Sequence, residues 1–151
     1  MSKRMKKWLT LLLPLLFAWS LSAQDSADAI LGTYSSVQAG YEYKARISRK
    51  DDGTYIARVI WVKNSIDPVT GEKIKDKKNP NKALRNTPCD RIVLMDGLRY
   101  NTEKNQWGDT KIYDPQRGIR ANVVVRFAPD GRLAVKGSLM GISETVYWKR
   151  Q

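Results

Sequence analysis

Two short segments carry an aspartate, a proline and a glycine at the same spacing, and the second also carries an arginine. They are SIDPVTG at 65–71 and IYDPQRG at 112–118. A carboxylate beside a guanidinium could act in acid–base chemistry or bind a polar ligand. The same residues also build a turn, because aspartate accepts backbone N–H groups, proline presets φ and glycine adopts positive φ. We predict that both segments are turns and that Arg117, which has no role in a turn, points to solvent.

The composition removes the side chains on which most catalysis depends. The chain has no histidine and a single cysteine, Cys89. Ser–His and Cys–His pairs are therefore excluded, and a zinc or copper site would lack its commonest ligand. Paired carboxylates or a Ser–Lys pair are the alternatives, but most acidic residues fall in turns, where they bond the backbone: Asp51, Asp52, Asp96 and Asp130. We predict no enzymatic activity, no catalytic residue, no cofactor and no metal site.

The N-terminus has the pattern of a secretory signal. Four basic residues precede the apolar run 8–19, and a small-residue cleavage site follows, after Ala23. The run is short for a membrane span, so an uncleaved anchor is the less favoured alternative. We predict a signal peptide at 1–23 and a single domain at 24–151, exported to the periplasm or the external medium. A lone thiol in such a chain leaves Cys89 without an intramolecular disulfide.

Basic residues outnumber acidic ones along the chain. The net charge of +12 falls to about +8 when the four basic residues of the predicted signal are subtracted. The densest basic stretch is 73–91, with seven Lys or Arg residues against Asp76 and Asp90. A loop kept soluble by its charge is the first interpretation, and contact with an anionic envelope surface is the second. Export argues against nucleic acid as a partner.

The mature chain alternates apolar and polar residues in short segments separated by turn residues. The clearest segments are 41–48, 54–62 and 119–127, with shorter ones at 31–36, 91–95, 98–101, 110–113, 132–137 and 143–149. We interpret MDGL at 95–98 as a turn between two of them. About eight strands without a long helical pattern predict an all-β sandwich or barrel, and one apolar face per strand favours a sheet closed around an apolar interior.

Residues 63–90 lack strand character and form a long connection. Such connections are commonly functional or partly structured. Within the segment 79–86, Asn79 is placed to cap a helix and Pro80 occupies its first position. We predict one or two turns of helix there, lying over one end of the barrel.

Several motifs taken together resemble a family of small exported bacterial proteins, domain-of-unknown-function family 2147. They are LGTY at 31–34, RVIWV at 58–62, KNPNKALRNTP at 78–88, IYDPQRG at 112–118 and LAVKGSLMG with VYWKR between 133 and 150. The resemblance covers about 30–150. It implies a lipocalin-like, antiparallel up-and-down β-barrel of about eight strands, and it implies no specific function.

One motif departs from the family's usual Gly-x-Trp, because the chain has Gly32-Thr33-Tyr34. In lipocalin-like barrels a basic residue of the last strand often covers this aromatic ring. The resemblance therefore implies that Tyr34 packs against Arg150 or Lys149 through a cation–π contact of about 0.5–1 kcal/mol.

An eight-stranded barrel has an interior that holds either packed side chains or one small ligand. The predicted inward-facing candidates for ligand binding are Tyr43, Ile47, Tyr55, Trp61, Val123, Val125, Glu144 and Trp148. Glu144 is in phase with Ile142, Val146 and Trp148, so it either points inward and needs a polar partner or lies in water at the mouth. We predict a monomer that binds a small apolar or amphipathic ligand. The alternative is a filled barrel that contacts an anionic envelope surface through its basic loop.

Overall fold

The computed structural model describes Gln24 and residues 26–151, so the predicted signal peptide lies outside the described residues. Gln24 and residues 26–28 have a helical backbone. Leu31–Gln151 form a second compact unit, which contains all the named strands. Within the described part of the chain, no helix is both long and apolar enough to cross a membrane.

The second unit is a closed, antiparallel, up-and-down β-barrel. Each strand pairs with the next one along the chain, and the first pairs with the last. The strands are β1 Gly32–Gln38, β2 Tyr41–Arg49, β3 Tyr55–Val62, β4 Val93–Asn101, β5 Gln106–Asp114, β6 Ile119–Phe127, β7 Leu133–Leu139 and β8 Ile142–Arg150. The predicted fold class is confirmed. Strand β6 shows how the sequence produces this fold. Val123 and Val125 are buried, and Arg126, which follows Val125, is exposed, because successive side chains of a strand point to opposite faces of the sheet.

A bulge in β3 reverses the alternation of side chains near the end of the strand. Lys44 pairs with Trp61 and Ala45 pairs with Val59, so Ile60 is an extra residue on β3. Beyond a bulge the inward and outward positions are exchanged. Trp61 therefore lies on the outer face, 40% exposed, with the Lys44 ammonium 5.6 Å from its ring centroid. The prediction that Trp61 faces the interior is wrong.

A second bulge explains why one strand stands where two were predicted. Tyr55 pairs with Leu98 and Ile56 pairs with Asp96, which leaves Gly97 as the extra residue of β4. Gly97 has φ of 79°, a conformation that glycine adopts without steric cost. The Asp-Gly pair at 96–97 is thus a bulge inside a continuous strand and not a turn, which corrects the interpretation of MDGL.

The cation–π contact implied for Tyr34 is present and lies where β1 meets β8. The Arg150 guanidinium carbon is 5.0 Å from the Tyr34 ring centroid, and its Nη1 donates to the Leu31 carbonyl at 2.6 Å. Tyr34 and Arg150 are cross-strand partners. A Cβ on Gly32 would lie 2.6 Å from Arg150 Nη1, so this motif needs a glycine for the guanidinium to reach the ring.

The connection between β3 and β4 contains two single-turn 3-10 helices, Lys82–Leu84 and Cys89–Arg91. The first confirms a short helix in this connection, but the predicted cap is wrong. The side chain of Asn81, not of Asn79, accepts the backbone N–H of Ala83 at 3.0 Å.

A buried carboxylate fixes this connection to the barrel wall. Asp76 is 4% exposed and accepts the hydroxyl of Tyr113 on β5 at 2.7 Å and the side-chain amide of Asn79 at 2.8 Å. Its backbone N–H donates to the Thr87 carbonyl at 2.9 Å. Each carboxylate oxygen therefore has a donor, as burial of a charged group requires. Asn79, itself buried, also accepts the N–H of Asn81, which is why it is not the helix cap.

Replacing Tyr113 tests this attachment. Tyr113→Phe removes a donor from a buried carboxylate, so we expect a loss of about 1.5–3 kcal/mol in the free energy of unfolding, measured by urea denaturation. The amides of Asp76 and Asn79 should also exchange hydrogen faster, because the connection opens locally more often.

Tyr100→Phe is the matched control, since its hydroxyl donates to Asn105 at 2.7 Å at an exposed position. We expect it to cost less than about 1 kcal/mol. Equal losses in the two variants would contradict the structural role of the buried carboxylate.

Replacing Arg150 tests the seam between β1 and β8. Arg150→Met loses the cation–π contact and the hydrogen bond to Leu31, so we expect a loss of about 1–2 kcal/mol in the free energy of unfolding. The neighbouring Lys149→Met removes the same charge from an exposed position and should cost less than about 0.5 kcal/mol. Indistinguishable urea midpoints would refute the assignment.

Candidate ligand-binding site

One end of the barrel opens into a cavity of about 550 Å³. This volume lies within the range of about 300–1,000 Å³ that is common for small-molecule sites. It is far larger than the space of about 30 Å³ that one water molecule takes in the liquid. Inward positions of the strands, the connection and the β5–β6 turn line the cavity together. A barrel filled throughout by side chains therefore does not describe this structure.

The last strand carries a row of cavity-lining residues from the mouth inward. Ile142, Glu144, Val146 and Trp148 all line the cavity, which confirms the predicted phase of Glu144. The six residue steps along the strand from Ile142 to Trp148 span about 20 Å. Exposure falls along this row, from 76% at Ile142 to 1% at Trp148, so Ile142 marks the mouth and Trp148 the inner end.

Two aromatic residues form the inner end of the cavity. Trp148 Nε1 donates to the hydroxyl of Tyr43 at 2.9 Å, and the rings meet edge to face with centroids 6.2 Å apart. Burial raises the pKa of the Tyr43 phenol, so it stays neutral at physiological pH. The inner end thus offers aromatic surface with one neutral hydroxyl.

The eight residues predicted for ligand binding fall into three groups. Tyr43, Glu144 and Trp148 line the cavity. Four others are buried but pack the interior outside the cavity lining: Ile47, Tyr55, Val123 and Val125. Trp61 lies on the outer face for the reason given above. Alternation identified which residues face inward, but it carries no information on how far along the barrel each one lies.

Both Asp-Pro segments are turns, as predicted, with the same hydrogen bonds. Asp114 accepts the N–H of Gln116 at 2.9 Å through its side chain and that of Gly118 at 2.8 Å through its carbonyl. Asp67 accepts Val69 and Gly71 in the same way. Both glycines have positive φ.

The second turn is also a docking point for the connection. A Cβ on Gly118 would collide with the backbone carbonyl oxygen of Lys78, so only glycine permits this approach. The Lys78 ammonium donates to the Gln116 carbonyl at 2.7 Å. The turn therefore holds the connection against the mouth of the barrel.

Arg117 lies at the mouth and joins two carboxylates there. Its guanidinium is 2.6 Å from Glu144 and 3.1 Å from Asp114. Glu144 has a side chain that is 55% exposed, so it sits at the mouth in contact with water and has an arginine as its partner. The prediction that Arg117 points to solvent is wrong, because its guanidinium lies at the mouth and pairs with these two carboxylates.

The connection contributes polar groups that sequence reasoning did not assign to the cavity of the barrel. Lys75, Asp76, Lys77 and Lys78 line the cavity, and Tyr113 does so from β5. Burial, together with the hydrogen bond to Asp76, raises the pKa of Tyr113, which keeps the hydroxyl protonated as a donor. The sequence feature that could have identified Asp76 is its position as a single acid between Lys75 and Lys77.

Cys89 also lines the cavity. Cys89 is unpaired and half-buried, and its sulfur lies 3.9 Å from the Ser65 carbonyl. Burial raises the pKa of this thiol, so the nucleophilic thiolate is disfavoured. Among Gln24 and residues 26–151, no three His, Cys, Asp or Glu side chains are grouped as a metal site would require.

Comparison with known proteins agrees with this architecture. The solved structure of protein HP1028 from the human pathogen Helicobacter pylori, described as belonging to the lipocalin family, is similar with a TM-score of 0.64 and 24% sequence identity over 81% of this chain and 82% of that one. This likeness shows the fold alone. No curated protein matches the chain. The family model described as "Uncharacterized protein conserved in bacteria (DUF2147)" matches residues 32–150, and the chain therefore belongs to the DUF2147 family.

Proposed function

We propose that this protein is an exported binding protein that holds a small apolar or amphipathic molecule in its barrel. The observation that carries the proposal is the cavity of about 550 Å³. Apolar side chains form most of its inner wall, and the charged groups that line it, such as Arg117 and Glu144, lie at the mouth beside exposed apolar side chains. This division suits a ligand with an apolar body inside and a polar end toward water.

The inner wall is formed by strands on several sides of the barrel. Its apolar members include Val59, Leu94, Ala121, Val135 and Val146. Covering apolar ligand surface with such side chains is worth about 25 cal/mol per Å². The hydroxyl of Tyr43 at the inner end gives a polar atom of the ligand one partner, which supports selectivity rather than affinity.

We propose binding rather than catalysis because the acidic groups at the cavity are engaged in structure. Asp76 bonds to Tyr113 and Asn79, and Arg117 holds both Asp114 and Glu144. A carboxylate pair for hydrolysis would need one acid and one base free to meet a substrate. The signal-like N-terminus supports export to the periplasm or the external medium, and we propose a monomer.

The alternative function is that of a filled barrel that contacts an anionic envelope surface through the basic connection. The cavity weighs against the filled barrel. Part of the charge of the connection also serves its own structure, since Lys73 pairs with Asp90 at 2.7 Å and Lys78 bonds to the Gln116 carbonyl. A surface contact of the remaining lysines is compatible with ligand binding.

Filling the cavity tests the proposed function. Ala121 lines the cavity, whereas Val124 on the same strand does not. We expect wild type and Val124→Trp to bind the neutral apolar probe N-phenyl-1-naphthylamine with enhanced fluorescence. Ala121→Trp should weaken the probe's affinity by about tenfold or more, because the indole occupies the space and the contacts of the ligand.

Thermal unfolding of the three proteins provides the control for folding. A loss of probe binding counts only where Ala121→Trp unfolds cooperatively and keeps the near-ultraviolet circular dichroism of a packed barrel. No probe binding to wild type, or equal binding to Ala121→Trp, would count against a ligand cavity.

A further inference from the structure

Exposed apolar side chains surround the mouth of the cavity. We call them the apolar rim: Tyr41, Ile74, Leu139, Met140 and Ile142. Four of them also line the cavity, and Met140 sits at the tip of the β7–β8 turn between two of the others. Met140 is 93% exposed. Large apolar groups held in water beside one another commonly mark a surface that contacts lipid or protein.

The opposite end of the barrel has no such rim in its described turns. Its three turns read KDDGT at 50–54, TEKN at 102–105 and APDGR at 128–132. None of the three contains a large apolar residue, and each carries charged side chains. The two ends of one small barrel therefore differ in chemistry, and the apolar end is the one that opens into the cavity.

The backbone at Met140 strengthens this argument. Met140 and Gly141 have φ of 50° and 80°, which are the two positive values of a type I′ hairpin turn. Asparagine is favoured at the first position, because its short polar side chain can form local hydrogen bonds in this conformation. An apolar side chain forms no such bonds, so positive φ costs it energy without compensation. A fully exposed methionine is thus unfavourable for the turn in water, which points to a role outside the folded monomer.

Positive charge without a partner accompanies the rim. Lys75 and Lys77 line the mouth, are exposed and form no ion pair with any described residue. The acids that line the mouth are engaged in other contacts, since Arg117 pairs with Asp114 and Glu144 and Asp76 is buried. The mouth therefore presents apolar side chains together with two exposed lysines that have no ion-pair partner among the described residues.

We propose that the open end of the barrel docks on an anionic phospholipid bilayer. The apolar rim enters the boundary between head groups and acyl chains, and Lys75 and Lys77 contact the anionic head groups. Exposed apolar side chains beside lysines are the combination that binds such interfaces. In this orientation the cavity faces the lipid. If the proposed ligand binding holds, an apolar molecule passes between bilayer and barrel without crossing water.

Sedimentation with vesicles tests the docking. Wild type should bind vesicles of mixed phosphatidylcholine and phosphatidylglycerol and bind phosphatidylcholine alone much more weakly. Lys75→Ser with Lys77→Ser should weaken binding about fivefold for each lysine. Met140→Asn with Ile142→Ser should weaken binding by about tenfold or more. Met140→Asn should leave thermal stability unchanged or higher, because asparagine suits the turn.

Matched controls lie away from the mouth. Lys104→Ser with Lys136→Ser removes the same charge from exposed positions, and Tyr147→Ser removes a 44% exposed aromatic from the outer wall. Each control should change binding less than about twofold.

Three results would overturn the proposal. They are no binding of wild type to the mixed vesicles, equal losses in the controls, and loss with the lysine variant but not with the rim variant. The last would point to simple charge attraction, such as to an acidic glycan. Titration of N-phenyl-1-naphthylamine without vesicles separates this proposal from the ligand cavity, because docking and cavity binding can fail independently.

Discussion

Asp76 places a buried carboxylate between the wall of the barrel and the long connection. Tyr113 holds it from β5 and Asn79 holds it from within the connection. Removing either donor from this buried carboxylate would lower the stability of the fold by more than the loss of an ordinary hydrogen bond. The three groups therefore keep one arrangement. That arrangement sets the path of residues 74–78 along the mouth. The cavity entrance, its lysines and the docking of Lys78 on Gly118 all depend on it.

The distribution of side-chain size decides where the barrel is full and where it is open. Eight strands allow either outcome. Large buried rings such as Tyr55 and Trp107 lie outside the cavity lining, whereas Ala121 and Gly137 belong to it. A Cβ added to Gly137 would lie 3.5 Å from that of Ala121, so these two small residues are neighbours on adjacent strands. Placing small residues side by side leaves the space that a ligand would occupy.

The strands and their inward faces could be predicted from the sequence because alternation and turn residues are local. The bulges at Ile60 and Gly97 could not, since each depends on the register with a neighbouring strand. A one-residue bulge was enough to move Trp61 to the outside. Asp76 was counted only as a charge within a basic stretch, because its partner Tyr113 lies 37 residues away. Sequence patterns identify which residues face inward but not which of them meet.

The acidic residues at the mouth determine its charge by what they bind. Arg117 occupies both Asp114 and Glu144, and Asp76 is withdrawn into the interior. Because these acids are engaged in other contacts, Lys75 and Lys77 have no carboxylate partner among the described residues. The exposed positive charge of these two lysines thus follows from the same contacts that shape the cavity. Ligand site and docking surface are therefore two consequences of one polar framework, in which the acids hold the entrance and the lysines face outward.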